Sequence, residues 1–157
     1  IVRLASGVGV IRVGGATQVE MTEKKHRIED ALEAVNSAQE EGIVPGGGTA
    51  LLRAAANIKL SSLDNSDQAL GISIVKEACS APLRQMAFNA GESADLIIQE
   101  ILQSDKTQGW DFRTSELVDC YKIGIIDPIK VTRTALQNAA SCAGTLITTN
   151  FGIIQTE

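Results

Sequence analysis

Apolar and polar positions follow two rhythms along this chain, a short one near each end and a helical one between them. Val8-Gly9-Val10-Ile11-Arg12-Val13 is rich in β-branched residues and halts at Gly14-Gly15, which predicts a strand. Ile28, Leu32 and Val35 then recur at i, i+4 and i+7, the stripe of a long helix. Thr17 or Thr22 opens it, and it runs to about Glu41 with Gly42 as its stop. Asp30 stands about 200° around this helix from Ile28, at 100° per residue. It therefore falls on the polar side with Arg27, Glu33 and Ser37, where a carboxylate is ordinarily just solvated.

Shorter helical patterns follow. An Ala/Leu-rich helix is predicted over about 49–59, a polar loop over 61–67, and a second helix over about 68–80. Pro82 suits the first turn of a third helix, which Asn89-Ala90-Gly91 ends, and a fourth covers about 92–103. No heptad persists, so these elements predict an orthogonal bundle and not a coiled coil. Residues 104–128 are irregular. Within them Gly109-Trp110-Asp111-Phe112-Arg113 reads as the tip of a loop or hairpin, with the single Trp anchoring it on the bundle. A last helix is predicted from Ile129 to about Leu146, apolar at Val131, Ala135, Leu136, Ala139, Cys142 and Ala143. Phe151-Gly152-Ile153-Ile154 predicts a closing strand.

Two places in this pattern invite chemistry. Gly46-Gly47-Gly48 separates the long charged helix from the next apolar one. Glycines there permit a sharp turn with tight helix packing, or the close approach of a ligand. A helix starting at such a turn aims unpaired N–H groups at the loop, a geometry that holds anions. The spacing and lysine of a Walker loop are absent. Asp127 precedes Pro128 at a predicted helix start, and its local role is that of an N-cap.

Composition narrows the classes. The 157 residues suit one domain, or one domain with an appendage, and 44% hydrophobic residues with only 3% aromatics imply an aliphatic core. A net charge of −5 argues against a nucleic-acid surface. No apolar run reaches the roughly 18 residues of a membrane span. Cys79, Cys120 and Cys142 are odd in number and widely spaced, and read as buried thiols of a reducing compartment, with no zinc spacing. The lone His26 reads as a surface residue. The chain begins at Ile1 inside one apolar pattern and stops just after another, which suggests a piece of a longer protein.

Several motifs together resemble the group I chaperonins, the GroEL family. They are Glu23-Lys24-Lys25, Arg27-Ile28-Glu29-Asp30-Ala31-Leu32, Glu40-Glu41-Gly42-Ile43-Val44-Pro45-Gly46-Gly47-Gly48 and Ala81-Pro82-Leu83-Arg84-Gln85. Asn89-Ala90-Gly91-Glu92, Gly124-Ile125-Ile126-Asp127-Pro128, Lys130-Val131-Thr132-Arg133, the helix 135–141 and Ile147-Thr148-Thr149 continue the match in order. The resemblance implies a mainly α fold: the C-terminal half of a multihelical, GroEL-like equatorial domain with a hinge strand and a long helix. Residues 1–8 would end the apical domain, 9–40 would form the returning half of the intermediate domain, and 41–157 the second half of the ATP-binding equatorial domain.

By the same resemblance Gly47 contacts nucleotide, Asp127 reaches its ribose, and Asp111, Phe112 and Arg113 form the adenine-side loop. Phe112 and Arg113 are bulkier than the family's usual small residues, and Pro45 stiffens a turn that normally carries a small one. Asp30 aligns with the aspartate that comes down over the nucleotide and orients the attacking water. The implied cofactors are ATP and Mg2+, the metal's ligands lying mostly in the N-terminal portion of the family's subunit. The implied partners are other subunits in stacked seven-membered rings, a co-chaperonin lid and unfolded clients, without nucleic acid or membrane. The implied place is the bacterial cytoplasm, or a mitochondrial or plastid matrix. Two other readings stand beside an ATP-driven folding machine: an isolated assembly module without ATPase activity, and a diverged paralogue. A half-domain would also expose apolar surface and self-associate.

Overall fold

The computed structural model describes residues 9–59 and 65–154. The chain divides into two compact units, Ile1–Asn36 and Ser37–Glu157. Helix α1 spans Gln18–Glu41. Thr17 opens it: its hydroxyl accepts the Glu20 N–H at 3.2 Å, while the Glu20 carboxylate accepts the Ala16 N–H at 2.8 Å. This is a close variant of the capping box, with two orphan donors of the first turn satisfied by side chains. Gly42 ends the helix at φ 87, and its N–H donates to the Ala38 carbonyl at 2.8 Å. The predicted apolar stripe is not buried: Leu32 is 50% exposed and Val35 54%.

The second unit holds the core. Strand β1 (Ile43–Pro45) leads through the glycines into α2 (Thr49–Ala56), followed by α3 (Ser66–Ala78), α4 (Ala81–Ala90) and α5 (Ala94–Gln103). A hairpin of β2 (Gln108–Asp111) and β3 (Glu116–Asp119) comes next, then α6 (Cys120–Ile123), β4 (Ile126–Pro128) and α7 (Ile129–Ile147). The fold is mainly α with minor β, as the motifs imply. Leu52, Leu83, Ala87, Ile97 and Ile101 form the core from α2, α4 and α5, and Trp110, Phe112 and Leu117 of the hairpin pack onto it. Arg53 ties α2 to the turn after α5, its guanidinium donating to the Ser104, Asp105 and Gln108 carbonyls and the Ser104 hydroxyl.

Five expectations need correction. Residues 9–13 form no strand (Val8 lies outside the described residues), and neither do residues 151–154. A strand needs a ladder partner for its backbone groups, and Val10, Ile11, Phe151, Ile153 and Ile154 are all exposed. The helix after the glycines stops at Ala56, short of Lys59, and α5 starts at Ala94 because Gly91 turns left-handed and sets Glu92 outside the helix. Cys142 is exposed on α7, whereas Cys79 and Cys120 are buried; burial pushes both of their thiols up, away from the reactive thiolate. The predicted loop at 61–67 and the apical segment 1–8 fall largely or wholly outside the described residues.

Candidate functional site

Sheet pairing decides what meets at the glycines. β1 and β4 are antiparallel, with Ile43 opposite Pro128, Val44 opposite Asp127 and Pro45 opposite Ile126. The ladder is closed at both ends, by Gly46 N–H to the Ile125 carbonyl at 2.8 Å and Ile129 N–H to the Gly42 carbonyl at 3.1 Å. Hydrogen-bonded and non-bonded pairs alternate in such a ladder. Pro45 and Pro128 therefore fall at positions where no ladder N–H is required, which is how a strand pair tolerates both. Val44–Asp127 falls at a bonded position, one step from the turn.

The three glycines have separate jobs. A Cβ on Gly46 would meet the Ile125 backbone at 3.1 Å, and one on Gly48 would meet the Leu83 backbone and Cβ at 3.0 Å. These two serve tight packing. Gly47, at φ 64, is the least crowded of the three: an added Cβ would lie in ordinary contact with the Trp110 carbonyl oxygen at 3.8 Å and the Ile125 side chain at 3.9 Å. The packing reading of the triplet holds at Gly46 and Gly48. Gly48 caps α2 without any side-chain cap, so amides of the first helical turn are left for other partners.

Asp127 is not an N-cap. Pro128 occupies that position of α7 and no side chain caps the helix. The reason is the strand: Asp127 is paired with Val44, so its carboxyl is carried away from the α7 amides and interacts with the Gly47 N–H. Burial pushes this carboxyl above its ordinary range, and the Gly47 N–H opposes that shift.

The hairpin tip carries the three residues of the loop that the resemblance implies, Asp111, Phe112 and Arg113. The Asp111 carboxylate is buried and accepts the Arg113 N–H at 2.9 Å, while its carbonyl accepts the Ser115 N–H at 2.8 Å. Phe112 packs on the core and Arg113 is exposed. Their side chains shape the turn, and what the hairpin presents to Gly47 is the main chain of Trp110. In the β2–β3 register Trp110 faces Leu117, and Thr107–Cys120 is a bonded pair at 2.9 Å. By alternation Trp110–Leu117 is a non-bonded pair, with the Trp110 carbonyl directed out of the ladder. Sequence reasoning missed this carbonyl, and no apolar alternation in Gln108-Gly109-Trp110-Asp111 signals it.

Asp30 lies on α1 in the first unit. It is exposed, and among the described residues no hydrogen bond or ion pair engages it, although its neighbours pair as Glu23–Arg27 and Lys25–Glu29. At the other end of α1, Glu40 meets Lys130 and Glu41 meets Arg133 at 2.5 Å, both cations on the first turns of α7. The Arg133 guanidinium holds the Glu41 carboxyl below its ordinary range. No group of three or more His, Cys, Asp or Glu among the described residues could hold a metal ion, and none of their helices is long and apolar enough to cross a membrane.

The arrangement of a left-handed glycine, a half-buried carboxyl and an outward carbonyl suits a small polar ligand bearing hydroxyl or amino donors. The chain is similar to a solved structure of a group III chaperonin in the open state, with a TM-score of 0.79 and 28% identity. The match covers 90% of this chain and 30% of that one, so the chain spans about a third of the length of its structural relative. The family model of the TCP-1/cpn60 chaperonins matches residues 3–156, nearly the whole sequence, and the chain belongs to that family.

Proposed function

We propose that this chain is the C-terminal portion of an ATP-dependent chaperonin subunit that encloses and refolds non-native proteins, and that its second unit supplies the ribose and purine side of the nucleotide site. The observation that carries this reading is the β1–β4 pairing, which sets Gly47 beside the Asp127 carboxyl. Gly47 admits the nucleotide, Asp127 accepts from a sugar hydroxyl, and the Trp110 carbonyl borders the same glycine. ATP, when bound with Mg2+, supplies the phosphoryl group; no ligand set for the metal stands among the described residues. Asp30 orients and deprotonates the attacking water, a role resting on the motif resemblance and supported by its exposure on the polar side of α1.

The finer group I assignment rests on the motif run from Glu23 to Thr149, with Pro45, Phe112 and Arg113 as departures. Assembly into stacked rings, a co-chaperonin lid and a cytoplasmic or organellar matrix location belong to the same proposal.

Asp127→Asn tests it with two readouts. A carboxyl whose folded pKa is raised favours the fold fully below its unfolded pKa and loses that contribution as pH rises through the folded value. Ionised Asp127 is therefore a net cost near pH 7. The amide removes that cost, so the melting temperature is expected to rise by about 2 °C at pH 7 and to match the wild type below about pH 3.9, the unfolded carboxyl value. ATP affinity of the complete subunit is expected to fall about threefold, since the amide oxygen still accepts and only the charge assistance is lost. Unchanged affinity measured by calorimetry would remove Asp127 from the site.

A further inference from the structure

Glu92 is one of the residues that fix the hairpin to the bundle. It follows Gly91, which closes α4 at φ 74, and its N–H donates to the Ala87 carbonyl at 2.9 Å. That six-to-one bond is the Schellman closure, so the position of Glu92 is set by the end of α4 and not by a mobile loop. Its carboxylate then accepts twice: from Trp110 Nε1 at 2.7 Å and from the Ser115 hydroxyl at 2.7 Å. One partner lies on β2 and the other in the turn, so a single carboxylate grips the hairpin at two points. Ser115 is the one non-glycine residue with positive φ among the described residues, at 58°. Such a backbone persists only when surrounding contacts hold it, and the Glu92 bond is one of them.

The main chain of Trp110 is the part of this hairpin that borders Gly47. Moving the indole moves that carbonyl. We propose that Glu92 is a positioning residue for the nucleotide site, holding the Trp110 carbonyl where it selects for a base carrying an exocyclic amino donor; this rests on the nucleotide reading above. A carbonyl oxygen only accepts. It matches the amino group of adenine and opposes the carbonyl that guanine carries at the same ring position. Selectivity built on a polar group exceeds what shape gives wherever ligand binding excludes water from it, because the wrong partner leaves that group unpaired.

The variants separate positioning from mere stability. Glu92→Ala removes both bonds. Glu92→Gln keeps them, its amide oxygen accepting from Trp110 Nε1 and its amide nitrogen donating to the Ser115 oxygen. Trp110→Phe removes the indole donor alone. ATP and GTP affinities of the complete subunit are measured by equilibrium dialysis. Glu92→Ala is expected to lower the ATP-over-GTP preference about tenfold, and Trp110→Phe to lower it by a similar factor, each the weight of one well-placed hydrogen bond. Glu92→Gln is expected to stay within about threefold of wild type. Should Glu92→Ala fail to fold, Trp110→Phe against Glu92→Gln carries the comparison. An unchanged ATP-over-GTP preference in the folded variants overturns the role of Glu92 while leaving the nucleotide site standing. A wild-type subunit that binds neither nucleotide overturns the nucleotide reading, and the role of Glu92 with it.

Discussion

Gly48→Ala is expected to cost the chain about 2–5 kcal/mol, while Gly47→Ala costs only about 1–2 kcal/mol. Both residues are left-handed, at φ 76 and φ 64, and a Cβ in that region carries a penalty of about 1–2 kcal/mol. The difference is what the methyl meets. At Gly48 it would lie 3.0 Å from the Leu83 N and Cβ. Leu83 is fully buried in the core between α2 and α4, so neither side yields cheaply, and overpacking adds about 1–3 kcal/mol. At Gly47 the nearest atoms stand at 3.8 Å. Denaturant melts of the two variants measure this directly. Equal losses would mean that the turn is not pressed against α4 as described. Within a total stability of about 5–15 kcal/mol, the larger figure decides whether the protein folds at all.

Asp30→Ala is expected to act in the opposite manner, with little effect on folding and a large one on turnover. An exposed side chain without partners changes stability by no more than about 0.5 kcal/mol. If Asp30 orients and deprotonates the attacking water, its removal lowers steady-state ATP turnover of the complete subunit about 10²–10³-fold, the range of general-base catalysis. ATP affinity stays within about threefold, since the lost interaction belongs to the transition state. The 157-residue chain alone is expected to show no magnesium-dependent turnover. Turnover by that chain, abolished by Asp30→Ala, would contradict the assignment of phosphate chemistry to the rest of the subunit.

Much of the helical order was legible because periodicity and punctuation agree. Thr17 and Gly42 bracket α1, Pro82 sits in the first turn of α4, and Gly91 ends it. What stayed hidden depends on partners distant in sequence. Ile43-Val44-Pro45 has no strand signature by itself, and becomes β1 only because Ile126–Pro128 pairs with it. That same pairing turned Asp127 from a local cap into a neighbour of Gly47, which no local rule foresees. Conversely, the terminal β-branched runs have the composition of strands yet find no ladder among the described residues. At the hairpin, the bond from the Arg113 amide to the Asp111 carboxylate and the closeness of the Trp110 main chain to the glycine depend on the turn's three-dimensional path, which no local pattern spells out. The α7 stripe was legible as apolar, but α7 has no buried residue, and Leu146 and Ile147 are 66% and 78% exposed.

The central claim is that a nucleotide seats between Gly47 and Asp127. A crystal structure of the complete subunit with a non-hydrolysable ATP analogue tests it most directly. The expected result is a ribose hydroxyl within hydrogen-bond distance of the Asp127 carboxyl, with the Gly47 backbone in van der Waals contact with the ligand. An analogue bound elsewhere, with Gly47 and Asp127 still joined only to each other, would contradict it.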